Sequence, residues 1–230
     1  QLGESQRTRF VSLKHAYHGD TVGSVSVGGI DLFHGVYRPL LFDALHLDCP
    51  DHYENESALA EQAIALLDSE SDSLVALVVE PLVQGAAGMR MHSKAFLEPV
   101  LRHARSLGAL LIFDEVATGF GRTGTLFAAD QIDVSPDFMC LGKGLTNGYL
   151  PLAVTLSTES VFQAFSGDHQ KTFFHGHTYT ANPLGCAAAL ATLELFSREN
   201  TMQNVAELEG VLTSGLKRLK ALSGVVRVRQ

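Results

Sequence analysis

The stretch that decides the fold is residues 109–144, which read ALLIFDEVATGFGRTGTLFAADQIDVSPDFMCLGKG. It contains two short apolar runs, residues 109–113 and residues 138–141. Uninterrupted apolar runs of this length are typical of strands in a parallel sheet that is covered on both faces. We therefore predict an α/β fold with a mostly parallel central sheet and helices on both faces.

A charged side chain follows each of these two runs. Asp114 comes directly after the first run, and Lys143 comes two residues after the second. Ligands of such sheets bind at the carboxyl ends of the strands, so the acid and the lysine are candidates for one pocket. A lysine that forms a Schiff base and a carboxylate that keeps a pyridine nitrogen protonated are what pyridoxal phosphate requires. Each residue also has an ordinary structural explanation, since an aspartate often caps a helix and a loop lysine is often a solvated charge.

Two sequence motifs around these residues resemble those of a known family. Residues 114–124, DEVATGFGRTG, and residues 141–151, LGKGLTNGYLP, resemble the class III (subgroup II) aminotransferases, a fold-type I family that uses pyridoxal phosphate. The resemblance implies that Lys143 and Asp114 are catalytic and bind the cofactor, and that Lys143 also contacts the substrate. It further implies that two more residues lie beside the cofactor, Val116 and Glu80.

The word YHGDT, residues 17–21, belongs to the same resemblance. It places Tyr17 and His18 beside the cofactor, with Tyr17 also in contact with the substrate. A buried tyrosine with a bonded hydroxyl is the structural alternative for Tyr17. His15 and His18 have a spacing that metal ligands use, but the sequence offers no third ligand of matching spacing, so we predict no metal site.

The motif HG-x-T, residues 175–178, is the basis for predicting a homodimer. The resemblance puts Gly176 in the substrate pocket, while His177 and Thr178 bind the cofactor phosphate of the neighbouring subunit. A threonine hydroxyl together with backbone N–H groups is a suitable phosphate clamp. Because this contact joins two subunits, the resemblance implies a homodimer.

The word GMRM, residues 88–91, resembles the branch of class III that serves biotin synthesis. Many members of that branch continue with tyrosine where this chain has His92. The branch implies amino transfer from S-adenosylmethionine to 8-amino-7-oxononanoate, which gives 7,8-diaminononanoate. Two alternatives stay open, namely an ω-amino-acid aminotransferase that uses pyruvate or 2-oxoglutarate, and a non-catalytic binding protein with the same fold.

The segment GFGRTG, residues 119–124, has the spacing of the glycine-rich dinucleotide-binding motif. That motif opens a helix, and an acid follows it about 20 residues later at the tip of the next strand. The corresponding region here is LGKG, and no suitable acid ends the strand. The LGKG word also lacks the upstream glycine and the Ser/Thr of a P-loop. The sequence therefore favours neither a dinucleotide-binding enzyme nor a nucleoside triphosphatase.

The composition describes an acidic globular chain of 230 residues that is 46% hydrophobic and 18% charged, with a net charge of −8. This charge argues against a nucleic-acid partner. No apolar run approaches the roughly 20 residues of a membrane-spanning helix, so no membrane association is predicted. Three cysteines without paired spacing favour a reducing compartment, and we predict a cytoplasmic protein.

Hydrophobic periodicity predicts further elements, which are strands at residues 9–13, 74–79 and 152–156, helices at residues 56–69 and after Ser93, and a helix that begins at Pro183. Residues 30–55 are expected to form an irregular surface segment. Apolar residues at helical spacing after residue 198 predict a helix with a core face. Residues 224–230 are expected to begin another strand.

The resemblance also divides the chain into domains. It implies that residues 1–197 are the cofactor-binding large domain and that residues 198–230 begin a small C-terminal domain. Class III enzymes extend further at both ends, so we expect the large domain to lack its N-terminal part and the small domain to be truncated. An arginine that binds the substrate carboxylate is expected in the missing C-terminal part.

Overall fold

A computed structural model describes residues 3–50 and 54–230, except for the side chain of Phe33. The strands in chain order are β1 (Arg9–Leu13), β2 (Ala44–Leu47), β3 (Leu74–Val79), β4 (Val83–Gln84), β5 (Arg90–Met91), β6 (Leu110–Asp114), β7 (Phe138–Leu141) and β8 (Val154–Ser157). The helices are α1 (Val22–Ser26), α2 (Asp31–His34), α3 (Glu56–Ser69), α4 (Lys94–Ser106), α5 (Glu159–Ala164), α6 (Pro183–Arg198) and α7 (Thr201–Lys220). Short 3₁₀ helices cover Gly35–Leu40, Ala128–Gln131, Lys143–Thr146 and His169–Lys171.

Six of the strands form one sheet in the order β2-β1-β3-β6-β7-β8. The first five of these are parallel to their neighbours, and β8 pairs antiparallel with β7 at the edge. Strands β4 and β5 make a separate two-stranded hairpin. The predicted α/β fold with a mostly parallel central sheet is therefore confirmed.

Strand β3 lies inside the sheet and is buried along nearly its whole length. Successive side chains of a strand point to opposite faces, so this burial means that both faces are covered here. Helices α3 and α4 pack on each other and on the sheet through one continuous apolar core. Its fully buried members include Leu67, Leu77, Phe96, Leu97, Val100, Leu101, Leu111 and Phe113.

Helix α4 begins and ends where the sequence predicts it. Ser93 is its N-cap, and the Ser93 hydroxyl accepts a hydrogen bond from the Ala95 N–H at 3.0 Å. Gly108 follows the helix with a φ of 81°, a left-handed conformation that glycine adopts without strain. The chain then enters β6, which lies parallel beside β3 and carries Asp114 at its carboxyl end.

Two predictions about strands are wrong in detail. Residues 30–55 contain β2, which pairs with β1 and extends the sheet. Its four residues are mostly half-buried, because an edge strand has a neighbour on one side only, and this weakens the apolar pattern in the sequence. Strand β8 begins at Val154 rather than at residue 152.

The C-terminal part of the described chain also departs from expectation. No residue of α7 is buried, and its apolar face, with Leu208, Val211 and Leu212, is exposed. The periodicity identified the helix correctly, but Leu208 and Leu212 of this face line an open cavity and are not buried in a core. Residues 224–230 form no strand.

Two further observations concern the whole described chain. Within residues 3–50 and 54–230, no helix combines the length and the apolar character needed to span a bilayer. The three cysteines are free thiols, of which Cys49 is buried and the other two, Cys140 and Cys186, are half-buried.

Candidate active site

Asp114 is buried at the carboxyl end of β6. Its Oδ1 accepts a hydrogen bond from the Val116 backbone N–H at 3.1 Å, and its Oδ2 lies 2.8 Å from His18 Nδ1. An ionised carboxylate can only accept hydrogen bonds, so His18 donates from Nδ1. The two carboxylate oxygens offer about four acceptor positions, which leaves Asp114 able to accept a further N–H.

His18 offers its second ring nitrogen to the same region. The side chain is 5% exposed, and its Nε2 is buried without a hydrogen-bond partner among the described residues. A buried polar atom in a native protein normally has a partner, so such an atom points to a bound group. One ring nitrogen is therefore fixed by Asp114, and the other is available to a ligand.

Glu80 follows β3 directly and joins two other segments at the same edge of the sheet. Its Oε2 accepts a hydrogen bond from the Tyr17 N–H at 3.3 Å, and its Oε1 accepts one from the Gly85 N–H at 3.0 Å. Burial raises the pKa of Glu80, although these backbone hydrogen bonds oppose the rise. The carboxylate thus fixes the backbone of Tyr17, immediately before His18.

The side chain of Tyr17 is oriented by two contacts. Its hydroxyl donates to Asp20 Oδ2 at 2.8 Å, and its ring stacks on the ring of His34 with centroids 6.0 Å apart and an interplanar angle of 14°. The hydrogen bond to Asp20 raises the pKa of the Tyr17 hydroxyl, which therefore stays protonated at neutral pH. Tyr17 presents a fixed aromatic ring near His18 and Asp114.

Lys143 stands at the carboxyl end of β7, between two glycines. Its φ of 42° is in the left-handed region, where residues other than glycine are uncommon. A side chain on Gly144 would meet the Phe120 ring, with the nearest atom 2.9 Å from the added Cβ. A side chain on Gly142 would meet the Val116 Cγ1 atom at 3.4 Å. The two glycines allow neighbouring backbone and side chains to close tightly around the lysine.

Val116 connects the two predicted catalytic residues. Strands β6 and β7 are parallel neighbours in which Asp114 stands opposite Cys140, and such strands lie roughly 4.8 Å apart. The Val116 N–H binds the Asp114 carboxylate, while the Val116 side chain faces the glycine that precedes Lys143. Asp114 and Lys143 therefore lie at the ends of adjacent strands, and Val116 contacts both strand ends.

A cavity of about 1020 Å³ opens at Lys143. Of the predicted site residues, Lys143 and Val116 line this cavity. Asp114, His18 and Glu80 do not line the cavity. Val116 lines it and also binds Asp114 through its N–H, so this residue connects the cluster to the cavity. Other parts of its wall come from the segment 119–124, from His92 and from helix α7.

The structure does not place the predicted phosphate-binding segment, residues 175–178, against the cluster of Asp114, His18 and Glu80. Gly176, His177 and Thr178 are exposed, and within the described ranges no hydrogen bond or ion pair joins them to Lys143 or Asp114. Their local bonds run to the same segment, where the His177 N–H donates to Thr180 Oγ1 at 3.0 Å. The predicted role of His177 and Thr178 lies across a subunit boundary, and it stays a prediction, as does the predicted place of Gly176 in the substrate pocket.

Glu115 is not among the predicted site residues, although it lies between Asp114 and Val116 and holds the segment after them in place. It is fully buried, and its carboxylate accepts hydrogen bonds from the Thr118 hydroxyl and from the N–H groups of Ala128 and Ala129. Burial raises the pKa of Glu115, and these three hydrogen bonds oppose the rise. The only signal in the sequence is a second acid directly after a buried strand.

The segment GFGRTG lies in consecutive turns, and no helix begins inside it. It therefore lacks the strand-to-helix geometry of a dinucleotide-binding loop. His15 and His18 do not belong to a metal-binding cluster, since the described part of the chain contains no group of three or more His, Cys, Asp or Glu side chains placed to hold a metal ion.

The fold and the strand-end arrangement define the class of the protein. The chain belongs to the class III aminotransferases, since the sequence model for Aminotransferase class-III matches residues 1–230.

Similar proteins carry one particular name. The chain is 47% identical to the adenosylmethionine-8-amino-7-oxononanoate aminotransferase of Aquifex aeolicus, over 99% of this chain and 53% of that protein. It is 44% identical to the protein of the same name from Anoxybacillus flavithermus, over 100% of this chain and 53% of that protein. A crystal structure of the Methanocaldococcus jannaschii protein of that name matches with a TM-score of 0.91 and 43% identity, over 99% of this chain and 52% of that one. The chain thus spans about half the length of these relatives.

Class III aminotransferases use pyridoxal phosphate, and the residues present here fit that cofactor. Asp114 has acceptor capacity left for a pyridinium N–H, and the buried His18 Nε2 has no hydrogen-bond partner among residues 3–50 and 54–230. Lys143 stands at the adjacent strand end, and its amine is the kind of group that binds the aldehyde of this cofactor.

Proposed function

We propose that this chain is the cofactor-binding part of an aminotransferase that transfers an amino group from S-adenosylmethionine to 8-amino-7-oxononanoate, giving 7,8-diaminononanoate in biotin synthesis. The observation that carries the proposal is the position of Val116. Its N–H binds the Asp114 carboxylate, and its side chain contacts Gly142, the residue before Lys143. The choice of substrates is supported by the names of relatives at 44% and 47% identity.

Lys143 and Asp114 carry the chemistry in this proposal. When bound, pyridoxal phosphate takes up the electrons that the amino-bearing carbon of the substrate releases as its proton leaves. The Lys143 amine would hold the cofactor between turnovers; once released, it would take the proton from the amino-bearing carbon of the donor and, in the second half of the reaction, deliver a proton to the acceptor carbon that receives the amino group. The Asp114 carboxylate binds the ring N–H and favours its protonated form, because an adjacent negative charge stabilises a cation.

The neighbouring residues orient these two groups. His18 donates to Asp114 and limits its rotation, while the Val116 N–H holds the other carboxylate oxygen. Glu80 fixes the backbone beside His18, so that the Tyr17 ring stands where it can cover the cofactor and meet the substrate. Fixing such groups before the reaction lowers the cost of reaching the transition state.

The assembly and the remaining site residues belong to the same proposal. We place Gly176 in the substrate pocket, with His177 and Thr178 binding the cofactor phosphate of a partner subunit in a homodimer. Their exposure in the single chain supports this role, since a phosphate clamp for another subunit has to lie at the surface. We further propose a second domain that begins at residue 198 and a cytoplasmic location.

The first test is the change Lys143→Ala in the full-length protein, with Lys220→Ala on the exposed end of α7 as the matched control. We expect Lys143→Ala to abolish amino transfer and the yellow colour that borohydride removes, because Lys143 is the amine proposed to bind the cofactor. The control keeps both properties. Normal turnover by the Lys143→Ala protein would remove this residue from the mechanism.

The second test concerns the substrates. Purified protein is assayed with S-adenosylmethionine, lysine and ω-amino acids as donors, against 8-amino-7-oxononanoate, pyruvate and 2-oxoglutarate as acceptors. We expect the highest kcat/KM with S-adenosylmethionine and 8-amino-7-oxononanoate. Preferred use of an ω-amino acid with pyruvate or 2-oxoglutarate would overturn this substrate assignment, and a protein that binds the cofactor without any transfer would be a non-catalytic member of the fold.

A further inference from the structure

The proposed cofactor lysine and a phenylalanine in the neighbouring segment both have a left-handed backbone. Phe120 has a φ of 59° and Lys143 has a φ of 42°. Left-handed conformations of residues other than glycine persist only where the surrounding structure enforces them. The two segments are in close contact, because a Cβ added to Gly144 would lie 2.9 Å from the Phe120 Cβ. The backbone directly after Lys143, at Gly144, therefore packs against Phe120.

The Phe120 ring is held from two other directions. It contacts the Phe127 ring edge-on, with centroids 5.7 Å apart, and the Phe196 ring at the end of α6, with centroids 6.1 Å apart. Both contacts have an interplanar angle of 71°, an arrangement that aromatic pairs favour. Phe120 can support Lys143 only as long as the segment on which it stands keeps its shape.

Glu115 holds that segment at both ends. Its carboxylate accepts from the Thr118 hydroxyl at the start of the segment and from the N–H groups of Ala128 and Ala129, at 3.2 Å and 2.7 Å, at its end. The Glu115 backbone N–H donates to the Cys140 carbonyl of β7 at 2.9 Å. One buried carboxylate thus ties residues 118–129 to the two strands that carry Asp114 and Lys143.

We propose that Glu115 is a positioning residue for Lys143, acting by closing the segment 118–129 so that Phe120 holds the left-handed backbone at Lys143. The inference rests on the proposed function, in which Lys143 bears the cofactor. The side-chain hydrogen bonds that the structure describes for Glu115 all go to the segment that carries Phe120.

The change Glu115→Gln keeps the shape of the side chain but removes one acceptor oxygen. The carboxylate receives three donors on two oxygens, and in either orientation an amide would present its own NH₂ to at least one N–H or O–H group. We expect the segment to loosen and Lys143 to lose its fixed backbone. A displaced catalytic group should lower kcat roughly 10- to 100-fold, with a much smaller change in KM.

The experiment measures hydrogen exchange in the apoprotein and the absorbance of the holoenzyme, both from the full-length protein. The matched control is Glu98→Gln, which removes an oxygen from a carboxylate that accepts the Asp133 N–H at 2.9 Å in a different part of the fold. In Glu115→Gln we expect faster exchange in residues 142–147 as well as in residues 116–129, and a shifted pH titration of the cofactor colour. In Glu98→Gln both readouts should match the wild type.

The readouts separate a positioning role from a merely structural one. If Glu115→Gln speeds exchange in residues 116–129 but leaves residues 142–147, kcat and the colour titration unchanged, the proposal is overturned. If Glu115→Gln does not fold, Phe120→Leu tests the same link and should speed exchange in residues 142–147. Failure of the proposed function would give a different result. The Lys143→Ala protein would then turn over normally, while Glu115→Gln would still speed hydrogen exchange in residues 142–147.

Discussion

At the residue scale, His92 is a buried histidine at the wall of the cavity that opens at Lys143. Its Nδ1 lies 3.8 Å from Cys49 Sγ, and its ring meets the Phe96 ring edge-on at 5.8 Å. Burial lowers the pKa of His92 from 6.5 to about 4. The residue is therefore neutral in the folded protein at any pH near neutrality.

This pKa predicts a loss of stability in acid. Between pH 6.5 and pH 4 the unfolded chain binds a proton at His92 that the folded chain does not bind, so the free energy of unfolding falls as the pH falls through this window. The loss at pH 5 relative to pH 8 should be about 2 kcal/mol for this one residue. Urea unfolding at both pH values is compared for wild type, His92→Gln and the exposed control His169→Gln. The first change should reduce the pH dependence, and equal pH dependence in all three proteins would contradict the pKa.

At the element scale, the start of α4 is fixed by a pair of side chains. Ser93 caps the helix through Ala95, and its hydroxyl and N–H both donate to the Glu56 carboxylate of α3 at 2.6 Å. The cap thus joins the two helices that cover one face of the sheet, as well as satisfying an open N–H at the helix end.

Removal of this cap should destabilise the protein. We expect Ser93→Ala to lower the free energy of unfolding by about 1–2 kcal/mol, because it loses the cap and one charge-assisted hydrogen bond. Urea unfolding at pH 7 measures the change. Ser69→Ala is the control, since the Ser69 hydroxyl is exposed and bonds only within its own helix end. A Ser93→Ala protein as stable as the control would show that the cap is energetically unimportant.

At the scale of the whole molecule, stability depends on the single core between the sheet and helices α3 and α4. Phe96 is one of the largest side chains in it and is fully buried. We expect Phe96→Ala to cost about 3–5 kcal/mol, because the structure cannot close the resulting cavity. The matched control is Phe162→Ala on the exposed face of α5, which should cost about 0.5 kcal/mol or less. Thermal or urea unfolding compares the two, and similar losses would mean that the core is elsewhere.

The exposed face of α7 belongs to the same scale. Its apolar residues recur at helical spacing, so the sequence identifies the helix and its apolar side. Burial depends on what packs against that side, and periodicity carries no information about this. The expected core face is therefore wrong for the described residues, even though the helix is right.

The sequence alone determined the elements with strong local signals. The uninterrupted apolar runs of β3, β6 and β7 predicted the parallel sheet, and the charged residues at their ends, Asp114 and Lys143, pointed to one site. Those signals are local, because a buried strand has to be apolar throughout and ends at its first charged residue. The short edge strand β2 had no comparable signal.

The contacts that hold the site residues in place, by contrast, join segments that are far apart in the sequence. The contacts of Glu115 with Ala128 and Ala129 span a segment with no periodic pattern, and the contact between Phe120 and Gly144 joins a turn to the 3₁₀ helix that begins at Lys143. The link between His18 and Asp114 crosses 96 residues of chain. Such contacts depend on which strands lie side by side, and the order β2-β1-β3-β6-β7-β8 results from the packing of the whole sheet rather than from any one stretch of sequence.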